Sequence, residues 1–296
     1  PRIDRASAAQ NFYDSAVTGP NAPYPSQTYA PHPMDAHDYM VQAGPQVFGG
    51  SFMRAVGGTT WHWTGFSTRF RPDDFKTRSL YGVGQDWPLA YEDLLEHYLF
   101  IEREWGTAGD NAFDQGGPRH GKPFPLPPVP MTYADKLIRD ALAPLGYSVG
   151  PFSHARNSEP FDGRPPCCGS ASCVPICPIG AKYDASVHVA KAEAAGARLL
   201  AQTLVEHIEV GADSLIQGVR IRRADGSRTT ARAKLYVLAA HAIETPNLLL
   251  RSAQPHAPQG VANRSDAVGR YLMGQVDLDT RALTRHLRER GVMRAG

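Results

Sequence analysis

"TLVEHIEVGADSLIQGVRIRRADGSRTTARAKLYVLAAHAIETPNLLLRSA", residues 203–253, carries the change of period on which the fold reading turns. "TLVEHIEV" (203–210), "LIQGVRIRR" (215–223) and "SRTTARA" (227–233) read as short strands, as does "RLLAQ" (198–202) just before them. "ADG" at 224–226 is the turn between two of them. "KLYVLAA" (234–240) is a continuous apolar run, the pattern of a strand buried on both faces. It feeds "HAIETPNLLLRSA" (241–253), a loop and then a helix opening near Pro246, because proline's fixed φ suits a first helical turn. An antiparallel meander, a buried strand and a helix follow one another in a doubly wound sheet with a hairpin crossover. The expected fold class is therefore α/β, or α+β once the region ahead of residue 198 is counted as an insertion.

That region has its own helical signals. In "YEDLLEHYLFIERE" (91–104), Leu94, Leu95, Tyr98 and Ile101 recur at helical spacing among charged residues. A second helix should follow Thr132 as N-cap, with Leu137, Ile138, Ala141 and Leu142 on one face, and stop at Pro144 and Gly146. A third should run over about 186–195 and stop at Gly196. Residues 106–130 are Gly- and Pro-rich loop, and residues 1–47 show no sustained period.

The totals bound the function. Charged residues are 20% and hydrophobic residues 42% of 296, a globular profile. A net charge of +2 gives no global pull toward nucleic acid, and none is expected as a partner. No apolar run approaches the roughly 18 residues of a membrane span, and there is no signal-peptide pattern. The chain opens at Pro1 and closes on "RALTRHLRERGVMRAG", with five arginines and no capping logic. It is expected to be an internal piece of a longer protein.

A dinucleotide-binding sheet needs G-x-G-x-x-G after a strand, so that backbone amides reach the pyrophosphate. Gly49-Gly50, Gly57-Gly58 and Gly82-Val83-Gly84 do not match. "RAVGGTTWHWTG" (54–65) is the stretch with ligand-binding character. Its paired glycines let the chain pass a bulky group, Thr59 and Thr60 supply hydroxyls, and the His-aromatic run can press on something flat. The same letters also suit a Gly-rich turn beside an aromatic core.

All four cysteines lie in "RPPCCGSASCVPICPIGAKY" (164–183). Cys167 and Cys168 are adjacent, and a disulfide between neighbours is strained; other pairings depend on Cα distances. Zinc takes four ligands in spaced pairs, whereas this run is C-C-x4-C-x3-C with His154 and His188 too far off to belong to it. Iron–sulfur ligation takes thiolates from a short turning loop, often closed by Cys-Pro, as in "CVPICP". The residues alone leave all three chemistries open.

Four segments, in order, resemble the glucose-methanol-choline (GMC) flavoprotein oxidoreductases over roughly residues 45–275. "RAVGGTTWHWTG" looks like the family's flavin-wrapping signature, "DWPLAYEDLLEHYLFIERE" like the helix after it, "HAIETPNLLLRSA" like its second signature, and "VGRYLMG" (268–274) like a later segment. Tyr271, Gly274 and Gln275 depart from that last pattern. "CCGSASCVPICPIGAKY" further resembles the cluster loop in the catalytic subunit of bacterial membrane-bound, FAD-dependent sugar and polyol dehydrogenases.

The resemblance implies FAD and a 3Fe–4S cluster as cofactors. It implies a sugar or polyol substrate, oxidised at CH–OH by hydride transfer to the flavin. It further implies a small chaperone-like subunit, a multihaem cytochrome c subunit and a place on the periplasmic side of the inner membrane. Family spacing carries the cluster ligands onto Cys167, Cys173 and Cys177, with Cys168 spare. The implied flavin residues are Arg54, Gly57, Gly58, Thr59, Thr60 and His62, with Val205 at the position that meets adenine through its backbone. Ala240, Ile243, Thr245 and Pro246 come from the second signature. His62 stands where some members bond the flavin covalently, and a histidine hydrogen-bonded in the flavin wall is the alternative. The resemblance places the pyrophosphate glycines before Pro1 and the catalytic His–His or His–Asn pair beyond Gly296. The implied divisions are an extended segment 1–47, a flavin segment 48–75, and a cap or insert 76–185 holding the loop. A flavin-domain block 186–275 and a divergent end 276–296 complete them.

Overall fold

The structure, a computed structural model, describes residues 2–6, 55–113, 116–174 and 176–270. The chain divides into two units, Pro1–Gln202 and Thr203–Gly296. Most of residues 1–47, Arg54 and the end from 271 onward lie outside the described residues.

In the first unit, a 3-10 turn at Gly58–Trp61 is followed by another at Pro72–Lys76, which runs into helix α1, Thr77–Tyr81. Helix α2, Leu95–Trp105, is entered through a 3-10 turn at Glu92–Leu94 and ended by Gly106 in the left-handed conformation. Helix α3, Tyr133–Leu142, starts as its sequence requires. The Thr132 hydroxyl accepts from the Asp135 amide, while the Asp135 carboxylate accepts from the Thr132 amide. Such a reciprocal cap supplies about 1 kcal/mol. A 3-10 turn over Ala143–Leu145 and left-handed Gly146 close it. Helix α4, Ser186–Ala194, also ends as expected, just ahead of Gly196 with its φ of 92°.

What lies under α2 differs from its periodicity. Its buried residue is Glu102, not the apolar row, and Ile101 is exposed. The Glu102 carboxylate receives both arms of Arg69 at 2.7 and 2.8 Å and both arms of Arg119 at 2.8 and 2.7 Å. Burial pushes this carboxyl up, but the Arg119 and Arg69 bonds outweigh it and hold it below the ordinary range. On α3, Leu137 and Ile138 are each 52% exposed, so the apolar face forms as a face but is not covered by described residues.

The second unit is built on β1 (Thr203–Val210), β2 (Ile216–Arg223) and β3 (Arg228–Ala231), antiparallel in the order β1-β2-β3. Val205 faces Ile221 and Ile208 faces Val219, with register shifts after Val205 and after Glu209. Buried Ile208 and Ile221 supply the apolar face. Glu206 accepts from Arg222 at 2.7 Å and from Arg228 at 2.8 Å, a cross-strand ion set. Helix α5, Glu244–Arg251, carries the segment that closes the outer edge of β1. The Ile208 amide donates to Ser252 Oγ at 2.9 Å and the Val210 amide to Gln254 Oε1 at 3.0 Å. Amides two residues apart point to one edge of a strand, so this pair satisfies an edge that would otherwise be bare.

Two expected strands are absent. "RLLAQ" is irregular, because Gln202 turns the chain with a φ of 54° immediately before β1. "KLYVLAA" is not a strand either: Leu235 is 78% and Val237 80% exposed. A strand is held by a neighbour's hydrogen bonds, and no described strand lies beside this run. The described architecture is therefore mixed helix and sheet, with an antiparallel meander and no parallel sheet among the described residues.

Candidate functional site

The glycine pair at 57–58 makes a tight turn into the 3-10 helix. Gly57 has φ 96° and ψ −16°, and a Cβ there would sit 2.5 Å from Trp61 Nε1. The close approach lets buried Trp61 donate from Nε1 to the Val56 carbonyl at 2.8 Å. Thr60 looks inward: its hydroxyl donates to Gly57 O at 2.5 Å and accepts from the Ala185 amide at 2.8 Å. It thereby fastens this turn to the start of α4. Thr59 lends its carbonyl to the His62 and Trp63 amides at 2.9 and 3.1 Å, and His62 is half-buried at the end of the turn.

The cysteine loop closes on a short antiparallel pairing. Ala155–Asn157 runs beside Ala181–Tyr183, with Asn157 N to Ala181 O at 2.9 Å and Tyr183 N to Ala155 O at 2.8 Å. Asn157, fully buried, spends Nδ2 on the Phe161 and Arg164 carbonyls, and its own carbonyl accepts from the Cys167 amide at 2.8 Å. Gly169 and Ala171 take positive φ between the cysteines, which curls the backbone. Cys177 is buried, Cys167 and Cys173 are half-buried and Cys168 is exposed; all four are free thiols, with no disulfide.

Lys182 joins the two segments. Its ammonium, 1% exposed, donates to Trp61 O at 2.8 Å, Trp63 O at 2.6 Å and Cys173 O at 2.8 Å. Burial lowers its pKa to about 8, against the opposing pull of Cys173 and Cys177. Arg5 adds a second tie: its guanidinium lies over the Trp61 ring at 4.7 Å, donates to Cys177 O at 2.8 Å and pairs with buried Asp184. Arg156 Nη1 donates to Cys173 Sγ at 3.4 Å, and the Gly169 amide to Cys167 Sγ at 3.4 Å. Two sulfurs of this loop therefore each have a donor, the Gly169 amide at Cys167 and the Arg156 guanidinium at Cys173. Lys182, Arg5 and Arg156 were not singled out by sequence reasoning. Lys182 lies inside the quoted loop, yet an isolated lysine ordinarily reads as a surface residue.

Among the described residues, no three His, Cys, Asp or Glu side chains converge on a point as one metal ion requires. A cluster makes a different demand, since each thiolate binds its own iron and the sulfurs stand farther apart. The donor set fits that demand in kind: several unpaired thiols on one curled loop. A buried Arg156 Nε with no partner among the described residues lies beside Cys173.

The remaining flavin candidates belong to the second unit. Val205 is on β1 at its first register shift, where a bulge redirects the strand. Thr245 Oγ1 accepts from the Ala240 amide at 3.0 Å, Ile243 is the residue before α5, and Pro246 lies in its first turn, so these four form one loop-to-helix entry. Arg54 lies outside the described residues.

The family model described as GMC oxidoreductase matches residues 128–276. The large subunit of fructose dehydrogenase from Gluconobacter japonicus is 38% identical over 289 residues, 92% of this chain and 52% of that protein. The 6'''-hydroxyparomomycin C oxidase of Streptomyces lividus is 35% identical over 77% of this chain and 44% of its own length. The 2-methyl-1,2-propanediol dehydrogenase of Mycolicibacterium austroafricanum is 31% identical over 76% and 41%. The chain spans about half the length of the curated relatives it matches. With the family model covering half of its residues, the chain belongs to the GMC oxidoreductases.

Proposed function

We propose that this chain is the part of an FAD-dependent dehydrogenase subunit that holds a flavin segment against an iron–sulfur loop, in an enzyme that oxidises a CH–OH group of a sugar or polyol. A bound flavin supplies hydride acceptance from the alcohol carbon, and a bound 3Fe–4S cluster supplies one-electron passage onward to a cytochrome c. Gly57, Gly58, Thr59, Thr60 and His62 line the flavin, with Arg54 ahead of them. In the second unit, Val205 and the Ala240–Pro246 entry are the proposed flavin residues, and β1–β3 would be the crossover of a doubly wound sheet. Cys167, Cys173 and Cys177 hold the cluster, while Gly169 and the Ser170-Ala171-Ser172 run let the backbone curl around it.

The observation that carries this reading is the Lys182 ammonium, in hydrogen-bond contact with both segments at once. It keeps the candidate electron carrier beside the candidate flavin wall. Sulfurs separated from that wall by the width of a domain could not serve as its relay. The similarity to a dehydrogenase named as a large subunit supports a sugar substrate and assembly with other subunits. In this proposal those are a small chaperone-like subunit and a multihaem cytochrome c, on the periplasmic side of the inner membrane. No helix among the described residues is long and apolar enough to cross a membrane.

The test is anaerobic isolation of the protein, with flavin, iron and acid-labile sulfide determined on one sample. The expected result is flavin together with iron and sulfide in the cluster's proportions, both reducible by a sugar or polyol. Flavin with neither iron nor sulfide, or zinc in their place, defeats the relay.

A further inference from the structure

We propose that Arg156 is a positioning residue for the electron relay, a fixed cation that raises the reduction potential of the cluster held by Cys173. The inference rests on the iron–sulfur reading above and goes beyond it in naming what sets the potential.

The placement is built rather than incidental. Arg156 and Lys182 are bridge partners in the antiparallel pairing that closes the cysteine loop. Flanking residues on both sides are locked by the Asn157–Ala181 and Tyr183–Ala155 bonds. Fully buried Ala155 and Asn157 fix the backbone on either side of Arg156. The side chain then reaches Cys173, with Nη1 at 3.4 Å from Sγ. Its Nε is also buried, with no partner among the described residues. A buried donor left unmet costs about 1–3 kcal/mol, so an acceptor belongs at that place. An inorganic sulfide of the cluster is an acceptor of the right charge.

The direction of the effect follows from charge. Reduction adds an electron to the cluster, so a guanidinium beside it favours the reduced form over the oxidised one. Burial of the Arg156 Nε limits how far water screens the effect. Hydrogen bonds to cluster and ligand sulfurs act in the same direction. A higher potential at this point draws electrons from the flavin side. Lys182 keeps Cys173 in place from its carbonyl end, so the bond to Sγ is held from two sides.

The experiment is a redox titration followed by electron paramagnetic resonance on the flavin- and cluster-loaded protein. Arg156→Gln and Arg156→Lys are run beside it, with iron and sulfide measured in each. Arg156→Gln should weaken reduction on the order of tenfold, ~59 mV lower for a one-electron couple; Arg156→Lys should fall less. A loaded Arg156→Gln protein with the parent's potential overturns the assignment. A second measurement needs no variant. In the parent protein with isotopically labelled arginine, pulsed resonance should detect arginine nitrogen coupled to the cluster spin, and its absence overturns the assignment too. A parent protein without iron and sulfide is a different result, since it removes the iron–sulfur reading and this inference with it.

Discussion

Lys182 Nζ and the Trp61 carbonyl oxygen are 2.8 Å apart although 121 positions separate the two residues in the chain. The same ammonium reaches Trp63 O and Cys173 O, so one buried cation fixes the relative position of two loops that contain little regular structure. Loops without a sheet or helix partner need some such tie, because each buried carbonyl must find a donor.

Replacing this cation should therefore loosen both loops. Lys182→Met removes three charge-assisted bonds while relieving the cost of burying an ammonium, a net loss on the order of 3 kcal/mol. Urea unfolding of the protein and its variant measures it. A change within ~0.5 kcal/mol, as at an ordinary surface site, would show that the tie contributes nothing.

The Glu102 carboxylate between Arg69 and Arg119 predicts an acid-sensitive fold. Its folded pKa lies below the ordinary carboxylate value, despite the upward push of burial. A depressed folded pKa means that the stabilisation is fully present above the unfolded pKa of about 4.3. It is lost as pH falls through the folded value. Glu102→Gln leaves two guanidiniums unneutralised and should cost about 3–5 kcal/mol near neutral pH. Urea midpoints between neutral pH and pH 3 should fall with acid more steeply in the parent than in this variant. Parallel curves would remove Glu102 from the account.

Adjacent glycines should respond unequally. A methyl at Gly57 meets Trp61 Nε1 at 2.5 Å as well as adopting a φ of 96°, whereas a methyl at Gly58, at φ 57°, meets nothing within 4 Å. Gly58→Ala should cost only the left-handed conformation, about 1–2 kcal/mol. Gly57→Ala should cost clearly more, because Trp61 must also move. Thermal unfolding of the two proteins side by side decides this, and equal losses contradict the turn described here.

Local signals were legible and long-range ones were not. Thr132, Gly146, Gly196 and the "ADG" turn act through neighbours a few residues away, and the structure uses each as its chemistry dictates. The meander was legible because alternation is itself a local property. "KLYVLAA" was misread as a strand because its apolar run specifies burial only if a pairing strand lies beside it, which composition does not encode. Glu102 and Lys182 were passed over for a related reason. A charged residue looks like surface until its partner is known, and theirs are 9 to 121 positions away. At the candidate site, the residue types that bind were visible as a cysteine run, but the cations that surround it came only with the fold.

The cysteines themselves give the sharpest separation. Cys173 accepts from Arg156 at its sulfur and from Lys182 at its carbonyl, whereas Cys168 is exposed. If Cys173 ligates the cluster and Cys168 does not, serine substitutions at the two positions must diverge. Cys173→Ser should lose iron and sulfide and pass no electrons to a cytochrome acceptor, yet its flavin should still bleach when substrate is added without oxygen. That combination follows because hydride acceptance precedes the relay and does not need it. Cys168→Ser should retain both steps. Rapid-mixing absorbance records flavin bleaching and acceptor reduction in one experiment. Full acceptor reduction by Cys173→Ser would break the relay assignment, because electrons would then leave the flavin by a route that does not use this loop.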